Sequence, residues 1–178
     1  MRRYLDVLVK TKKYGIEDKV TAEHKVSSKS IFFSLPNDIA FITYEQVTFG
    51  DEALGCYNGE TADVYPVTQD EYNRIIRNPF RGPTKYKVLR MDTGVQGEDD
   101  TTMVELISKF DIKEYLMKYL SKPSPIILVD LPNELEIKGI STETPCKLND
   151  ILHETILKRA VQMALASKSI NSKGNDEK

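Results

Sequence analysis

The sequence predicts an α+β fold: a mostly antiparallel, sandwich-like β core, a short capped helix and one long C-terminal amphipathic helix. Three observations carry this reading. Runs rich in β-branched and aromatic residues recur at Ser30–Leu35, Ile39–Phe49, Thr61–Val67, Lys85–Met91 and Met103–Ile107, each bounded by turn-forming residues. Thr68-Gln69-Asp70-Glu71 has the spacing of a capping box, in which a Thr side chain takes the third amide of a helix and a Glu returns to the first. From Leu148 to Ser169 the residues Leu148, Ile151, Leu152, Ile156, Ala160, Val161, Ala164 and Leu165 recur at helical spacing.

In chain order, Met1–Val9 suits a short helix or strand, with Tyr4, Leu5 and Leu8 on one helical face. Lys10 to Lys29 is charged and weakly periodic and reads as a solvated loop. Pro36 stops the first strand, and Leu35-Pro36-Asn37-Asp38 reads as a tight turn, because Pro presets φ and Asn and Asp bond their own backbone. Gly50–Glu60 is a loop ending in the turn signal Asn58-Gly59. The helix opened by Thr68 is expected to bury Tyr72, Ile75 and Ile76. In the strand that follows, Tyr86 and Val88 alternate while Leu89 falls out of step. Ile112–Leu120 fits both a helical stripe and an alternating strand. Ile126–Val129 reads as a compact apolar strand, and Asn149 as the N-cap of the long helix.

Asn78-Pro79-Phe80-Arg81-Gly82-Pro83 ends the capped helix in a stiff bend. Two prolines fix their own φ and push the preceding residue out of the helical region. Phe80 is expected to pin this bend to a core, and its replacement by Ala to destabilise the fold by about 3–5 kcal/mol.

The 178 residues are enough for one domain with a substantial core. With 25 Lys and Arg against 27 Asp and Glu, the net charge is −2, which argues against a basic nucleic-acid clamp. Met1-Arg2-Arg3 leads into no apolar targeting segment, and no apolar run approaches membrane-spanning length. Cys56 and Cys146 stand far apart, outside any Cys-x-x-Cys pair, as expected for buried or half-buried thiols in a reducing cytoplasm.

Catalysis needs a convergent set of nucleophile, base and orienter, or a metal. The two histidines, His24 and His153, form no metal-binding face, and His153 reads as a helix-boundary residue bonding a backbone group. No glycine-rich phosphate loop or nucleophile elbow is present. Glu98-Asp99-Asp100 lacks the spacing of a calcium loop and reads as a solvated acidic run. Arg74, Arg77, Arg81, Lys85, Lys87 and Arg90, interleaved with Phe80 and Tyr86, have a pattern that could track phosphates, but they read as the polar faces of a short helix and a strand, which need charges for solubility. The expectation is therefore a protein that is not an enzyme and has no cofactor, catalytic residue or metal site.

The ordered series Leu35-Pro36-Asn37-Asp38, Thr68–Tyr72, Asn78–Pro83, Tyr119-Leu120-Ser121-Lys122-Pro123, then Leu148 with His153-Glu154, Ile156 and Arg159-Ala160-Val161 resembles the ring-forming head–tail connector proteins, the tail-tubular-like neck proteins, of crAss-like and related podovirus-type phages. The resemblance covers most of Ser30 to Ala166 and favours a strand at Lys113–Leu120. It implies a single connector domain over residues 1–170 with a disordered polar tail at 171–178. It marks Pro36, Asp38, Pro79, Phe80, Pro83, Tyr119, Pro123, His153, Ala160 and Val161 as structural or interface candidates. It implies a structural virion protein, assembled in the host cytoplasm, in a homo-oligomeric ring of about twelve copies between portal and other neck or tail ring proteins. DNA would pass through the ring without sequence-specific binding, and no membrane is involved. Glu98, Asp99 and Asp100 would face the lumen or a neighbouring ring. The alternative is a small intracellular regulatory domain that binds protein or nucleic acid through the Arg74–Arg90 surface.

Overall fold

A computed structural model describes residues 5–21, 25–78, 80–95, 101–132 and 135–173. The chain divides into two compact units, Val9–Lys122 and Met1–Leu8 with Pro123–Lys178.

The first unit is one eight-stranded sheet. Its strands are β1 (Val9–Gly15), β2 (Lys19–Val20), β3 (Ile31–Leu35), β4 (Ile39–Phe49), β5 (Thr61–Val67), β6 (Lys87–Val95), β7 (Thr102–Ile107) and β8 (Ile112–Ser121). The spatial order is β1-β8-β4-β5-β6-β7-β3-β2. Every neighbouring pair is antiparallel except β5–β6, whose parallel crossover is the helix α1 (Gln69–Ile75). The sheet curls until its ends meet. Tyr14 on β1 and Phe33 on β3 are far apart in strand order, yet their ring centroids lie 5.2 Å apart, and both stack on Tyr115 of β8 at 5.6 Å. The core is thus the interior of a near-barrel rather than the space between two flat sheets.

Alternation explains which residues line that interior. Tyr115, Met117, Tyr119 and Ser121 of β8 point inward and are buried, as are Val47 and Phe49 of β4, Val88 of β6, and Val104 and Leu106 of β7. Leu89, out of step in sequence, faces the other way. With Met91 and Ile107 it is covered by Tyr72 and Ile75 of α1, so β6 and β7 are buried on both faces. Ile76, expected in the same stripe, is the C-cap of the helix and is 62% exposed. Glu105 is buried on β7 and accepts the Val26 N–H at 2.8 Å, which pins the segment ahead of β3.

The capping box is present: the Glu71 N–H donates to Thr68 Oγ1 and the Thr68 N–H donates to Glu71 Oε2 at 2.9 Å. Gly59 takes φ of 88°, as the Asn58-Gly59 turn requires. Gly94 takes φ of 89° beside the register shift between Asp92 and Gly94, a bulge that bends β6.

Two expectations are corrected. Lys10–Lys29 is not a loop throughout, since Val9–Gly15 and Lys19–Val20 are strands. β1 is an edge strand, and Lys10, Lys12 and Lys13 are the charges that keep such an edge from pairing with foreign strands. Ile126–Val129 is not a regular strand, although Ile127 forms an isolated bridge with Thr144. The strand reading of Ile112–Leu120 holds, as β8 spans Ile112–Ser121.

In the second unit, 123–132 and 135–149 are joined by nested contacts. Ile127 bridges Thr144, the Leu131 N–H donates to Ser141 O at 2.7 Å, and Ile137 bridges Ile140. Lys138 and Gly139 at its tip both have positive φ, 54° and 75°, the pattern of a tight hairpin turn. Asn149 Oδ1 accepts the Ile151 N–H at 3.1 Å and caps the 3-10 turn Asp150–Leu152, from which α2 (His153–Lys173) continues.

Candidate functional site

The interior of the barrel holds a polar trio. Arg90 Nη1 of β6 donates to Glu45 Oε2 of β4 at 2.6 Å, and the Tyr115 hydroxyl of β8 donates to Glu45 Oε1. The Glu45 and Arg90 side chains are 6% and 10% exposed, so their mutual neutralisation is what allows both charges inside. Asp92 Oδ1, 3.2 Å from Arg90 Nε, adds a second carboxylate nearer solvent. Burial, then the negative Glu45, push the Tyr115 phenol well above its ordinary range. Burial also works against the Arg90 charge, but Glu45 and Asp92 outweigh it and the guanidinium is held charged. Arg90 Nε, although close to Asp92, makes no hydrogen bond among the described residues. Among the described residues no group of three or more His, Cys, Asp or Glu is arranged to hold a metal ion.

The trio sits where the barrel wall opens. β4 pairs with β5 only from Gln46/Asp63 to Thr48/Thr61. Beyond that point β4 follows β8 and β5 follows β6. Between them lies an open cleft of about 420 Å³ lined by Ile42–Glu45 and Asp63–Pro66. The Asp63 N–H donates to Tyr86 O on the β6 side, so alternation turns Val64 and Pro66 toward the cleft. Pro66, which has no N–H, therefore occupies a free edge and removes no ladder bond.

The sequence candidates fall into several places. Asp38, in the turn after Pro36, accepts from Lys10 Nζ at 2.5 Å and from the Tyr119 hydroxyl at 3.3 Å, and its carbonyl takes the Lys122 N–H at 2.6 Å. Lys10 chiefly holds the Asp38 carboxyl below the usual carboxylate range. The turn thereby locks the end of β8 just before the exposed Pro123. Tyr119 is buried. His153 bonds the backbone as expected: Nε2 lies 2.9 Å from Leu148 O. Ala160 and Val161 are exposed on α2. Pro79, the trio Glu98-Asp99-Asp100 and His24 lie outside the described residues.

Three further readings are corrected. Phe80 is not a core plug, for it is 93% exposed. Asn78 holds the residues after it instead: its Oδ1 accepts the Phe80 N–H at 3.0 Å and its O accepts the Arg81 N–H at 3.1 Å. A polar cap thus fixes the bend, leaving the ring free for a contact beyond this unit's core. The basic cluster is also not one surface. Arg90 is inside the barrel, Lys85 Nζ sits 3.4 Å over the Tyr57 ring and Lys87 Nζ 5.1 Å over Tyr65. Cys56 is exposed, contrary to a buried thiol, and Cys146 is half-buried.

Sequence reasoning missed the Glu45–Arg90–Tyr115 trio. Its one visible trace is a Glu and an Arg at inward positions of strands that otherwise alternate apolar residues. Of the α2 stripe read from the sequence, Val161 and Leu165 are 50% and 63% exposed, as is Leu157, outside that stripe, at 65%.

Comparison with known proteins places these features in context. The family described as phage tail ring protein 3/4 matches residues 1–176. Ring protein 3 of Bacteroides phage crAss001 is 48% identical over 169 residues, covering 95% of this chain and 70% of that protein. Ring protein 4/5 of the same phage is 33% identical over 140 residues, covering 76% of this chain and 54% of that protein, so the match spans about half of the latter's length. With almost its whole length matched, this chain belongs to the phage tail ring protein 3/4 family.

Proposed function

We propose that this chain is a structural subunit of a ring in the head–tail connector of a crAss-like phage, joining portal to tail and leaving a channel through which DNA passes. The observation that carries this reading is the near-complete match to Ring protein 3, at 48% identity over 95% of the chain. The chemistry supports it: the buried charges Glu45 and Arg90 are spent on pairing with each other, and many large apolar side chains are exposed. A ring of identical subunits needs a heterologous interface, in which one face of each copy meets a different face of the next. A self-locked barrel and a capped, proline-flanked bend suit that task, because ordering floppy segments at every interface costs free energy. The near-neutral charge favours sliding over gripping of DNA.

On this reading the ring is about twelve-fold and stacks on portal and other ring proteins. The chain is a virion component assembled in the host cytoplasm, and residues 1–170 act as one connector domain. Pro36, Asp38, Pro79, Phe80, Pro83, Tyr119, Pro123, His153, Ala160 and Val161 shape or line contacts, and Glu98-Asp99-Asp100 faces the lumen or a neighbouring ring.

Quantitative mass spectrometry of purified virions tests the reading. The chain is expected at a copy number matching the other ring proteins of the particle. Its absence from particles overturns the proposal.

A further inference from the structure

The split between β4 and β5 leaves two strand edges facing each other in the middle of a sheet. The ladder between them runs only from Thr48/Thr61 to Gln46/Asp63. β4 continues to Ile39 beside β8, and β5 continues to Val67 beside β6, so past that point each is paired on its far side alone. The Phe49 N–H donates to Glu60 O, and alternation from there turns the backbone of Val47 and Glu45 toward β5. Val64 and Pro66 face them from the other lip. Glu45 with Val64 would be the next hydrogen-bonded pair and Thr43 with Pro66 the one after, yet neither pair forms. Pro66 has no N–H, so a Thr43/Pro66 pair could make only one of its two bonds. Register shifts against β8 between Ile39 and Phe41 and between Ile42 and Tyr44 make the same stretch of β4 irregular.

The side chains of the lips are sorted by face. Val64 is buried in the barrel core, and Ile42 packs against that core. Tyr44 and Tyr65 stand on the outer face, one on each lip, and are 42% and 47% exposed. Lys118, opposite Tyr44 on β8, has its Nζ 5.8 Å from the Tyr44 ring centroid, and Lys87 of β6 has its Nζ 5.1 Å from that of Tyr65. Among the described residues neither lysine has a carboxylate partner, and Asp63, opposite Lys87 in the ladder, forms no ion pair with it. Each lip thus carries on its outer face a tyrosine and a lysine that is free to meet an acid.

Resting on the ring reading above, we propose that this cleft is a strand-insertion site, filled in the assembled particle by an extended segment of a neighbouring chain that pairs with β4 along one edge and with β5 along the other. The backbone selects an extended segment. A strand offers alternating N–H and C=O groups on both of its edges, whereas a helix spends its own internally. Its length follows from the lip: the four residues Ile42–Glu45 span about 13 Å at the rise of a strand. Its side chains follow from the two faces. Residues that turn inward meet Val64 and Ile42 and are apolar. Residues that turn outward lie between Tyr44 and Tyr65, within reach of Lys118 and Lys87, where an Asp or Glu is the complementary charge. Pro66 serves the site by keeping β5 from closing on β4 ahead of the guest. All of these groups belong to the unit Val9–Lys122.

Two measurements test the site. In the isolated chain at low concentration, amide hydrogen exchange followed by NMR is expected to be at least about 100-fold faster at Glu45 than at Val47, whose pair with Ala62 is formed. Equal protection of the two amides means a closed ladder and overturns the site whatever the particle contains. In purified virions carrying the unaltered chain, a carbodiimide joins lysine amines to carboxylates in contact with them, and peptide mass spectrometry identifies the products. Lys87 and Lys118 are each expected to couple to Asp or Glu within one run of about four residues of a neighbouring chain. The isolated chain, treated in the same way, is expected to give none of these products. A chain present in the normal amount whose two lysines couple to different segments, only to carboxylates of their own chain, or not at all overturns the insertion and leaves the ring reading intact. A chain absent from virions overturns the ring reading and, with it, the neighbour named here.

Discussion

Glu45 and Arg90 reach each other across β5, the strand that lies between their own, with Oε2 and Nη1 2.6 Å apart inside the barrel. They do so at the place where β4 and β5 stop pairing, so a side-chain bridge stands in for the missing ladder and ties the two lips of the cleft together. Removing one partner leaves an uncompensated buried charge. Arg90→Met or Glu45→Leu alone is expected to destabilise the chain by about 3–5 kcal/mol, and the double variant by much less than the sum. Urea unfolding of the four proteins as a double-mutant cycle checks this, and additive losses would refute the bridge.

Two stacked tyrosines make opposite predictions. Tyr115 donates to Glu45, whereas the Tyr14 hydroxyl is buried with no hydrogen-bond partner among the described residues. Tyr115→Phe is expected to destabilise by about 1–3 kcal/mol, because a buried carboxylate oxygen loses its donor. Tyr14→Phe keeps the ring contacts with Phe33 and Tyr115 and is expected to be neutral or stabilising. Thermal melts of the two variants, run side by side, distinguish them.

Acid stability should depend on Asp51. Its carboxylate is buried and takes Lys29 Nζ at 2.8 Å, the Ala53 N–H at 2.9 Å and the Asp111 N–H at 3.0 Å. Lys29 first, then the two amides, lower its pKa to about 2. A depressed folded pKa gives stability that is complete above the ordinary Asp value and is lost as pH falls through the folded value. The parent chain is therefore expected to lose stability steeply between about pH 4 and pH 2. Asp51→Asn should be less stable at pH 7 and flatter over that interval, as read by denaturant midpoints against pH.

Exposure decides what the aromatic residues do. Phe80→Ala is expected to change stability by less than about 0.5 kcal/mol, as a surface substitution does. Phe33→Ala, which empties a fully buried site between Tyr14 and Tyr115, should cost about 3–5 kcal/mol. Differential scanning calorimetry of the two variants gives the comparison, and equal losses would place Phe80 in the core after all.

Short-range features were legible from the residues alone. The Thr68–Glu71 box, the Asn58-Gly59 turn, the Pro36 stop, the Asn149 cap and the His153 contact with Leu148 each join residues at most five apart. Each can be read from spacing because the chain supplies both partners locally. The long strand Ile39–Phe49 was equally legible, from its residue types. Tertiary structure decided the rest. β1 is a strand only because β8 pairs with it, since its lysines carry no strand signal of their own. Leu89 makes sense only once α1 lies over β6. Glu45 meets Arg90 over 45 residues and Tyr115 over 70, and nothing local marks either contact. Helical periodicity identified the apolar side of α2, but periodicity states which side is apolar and not what will cover it. That depends on surfaces brought together at long range, and in a ring protein those include surfaces of another molecule.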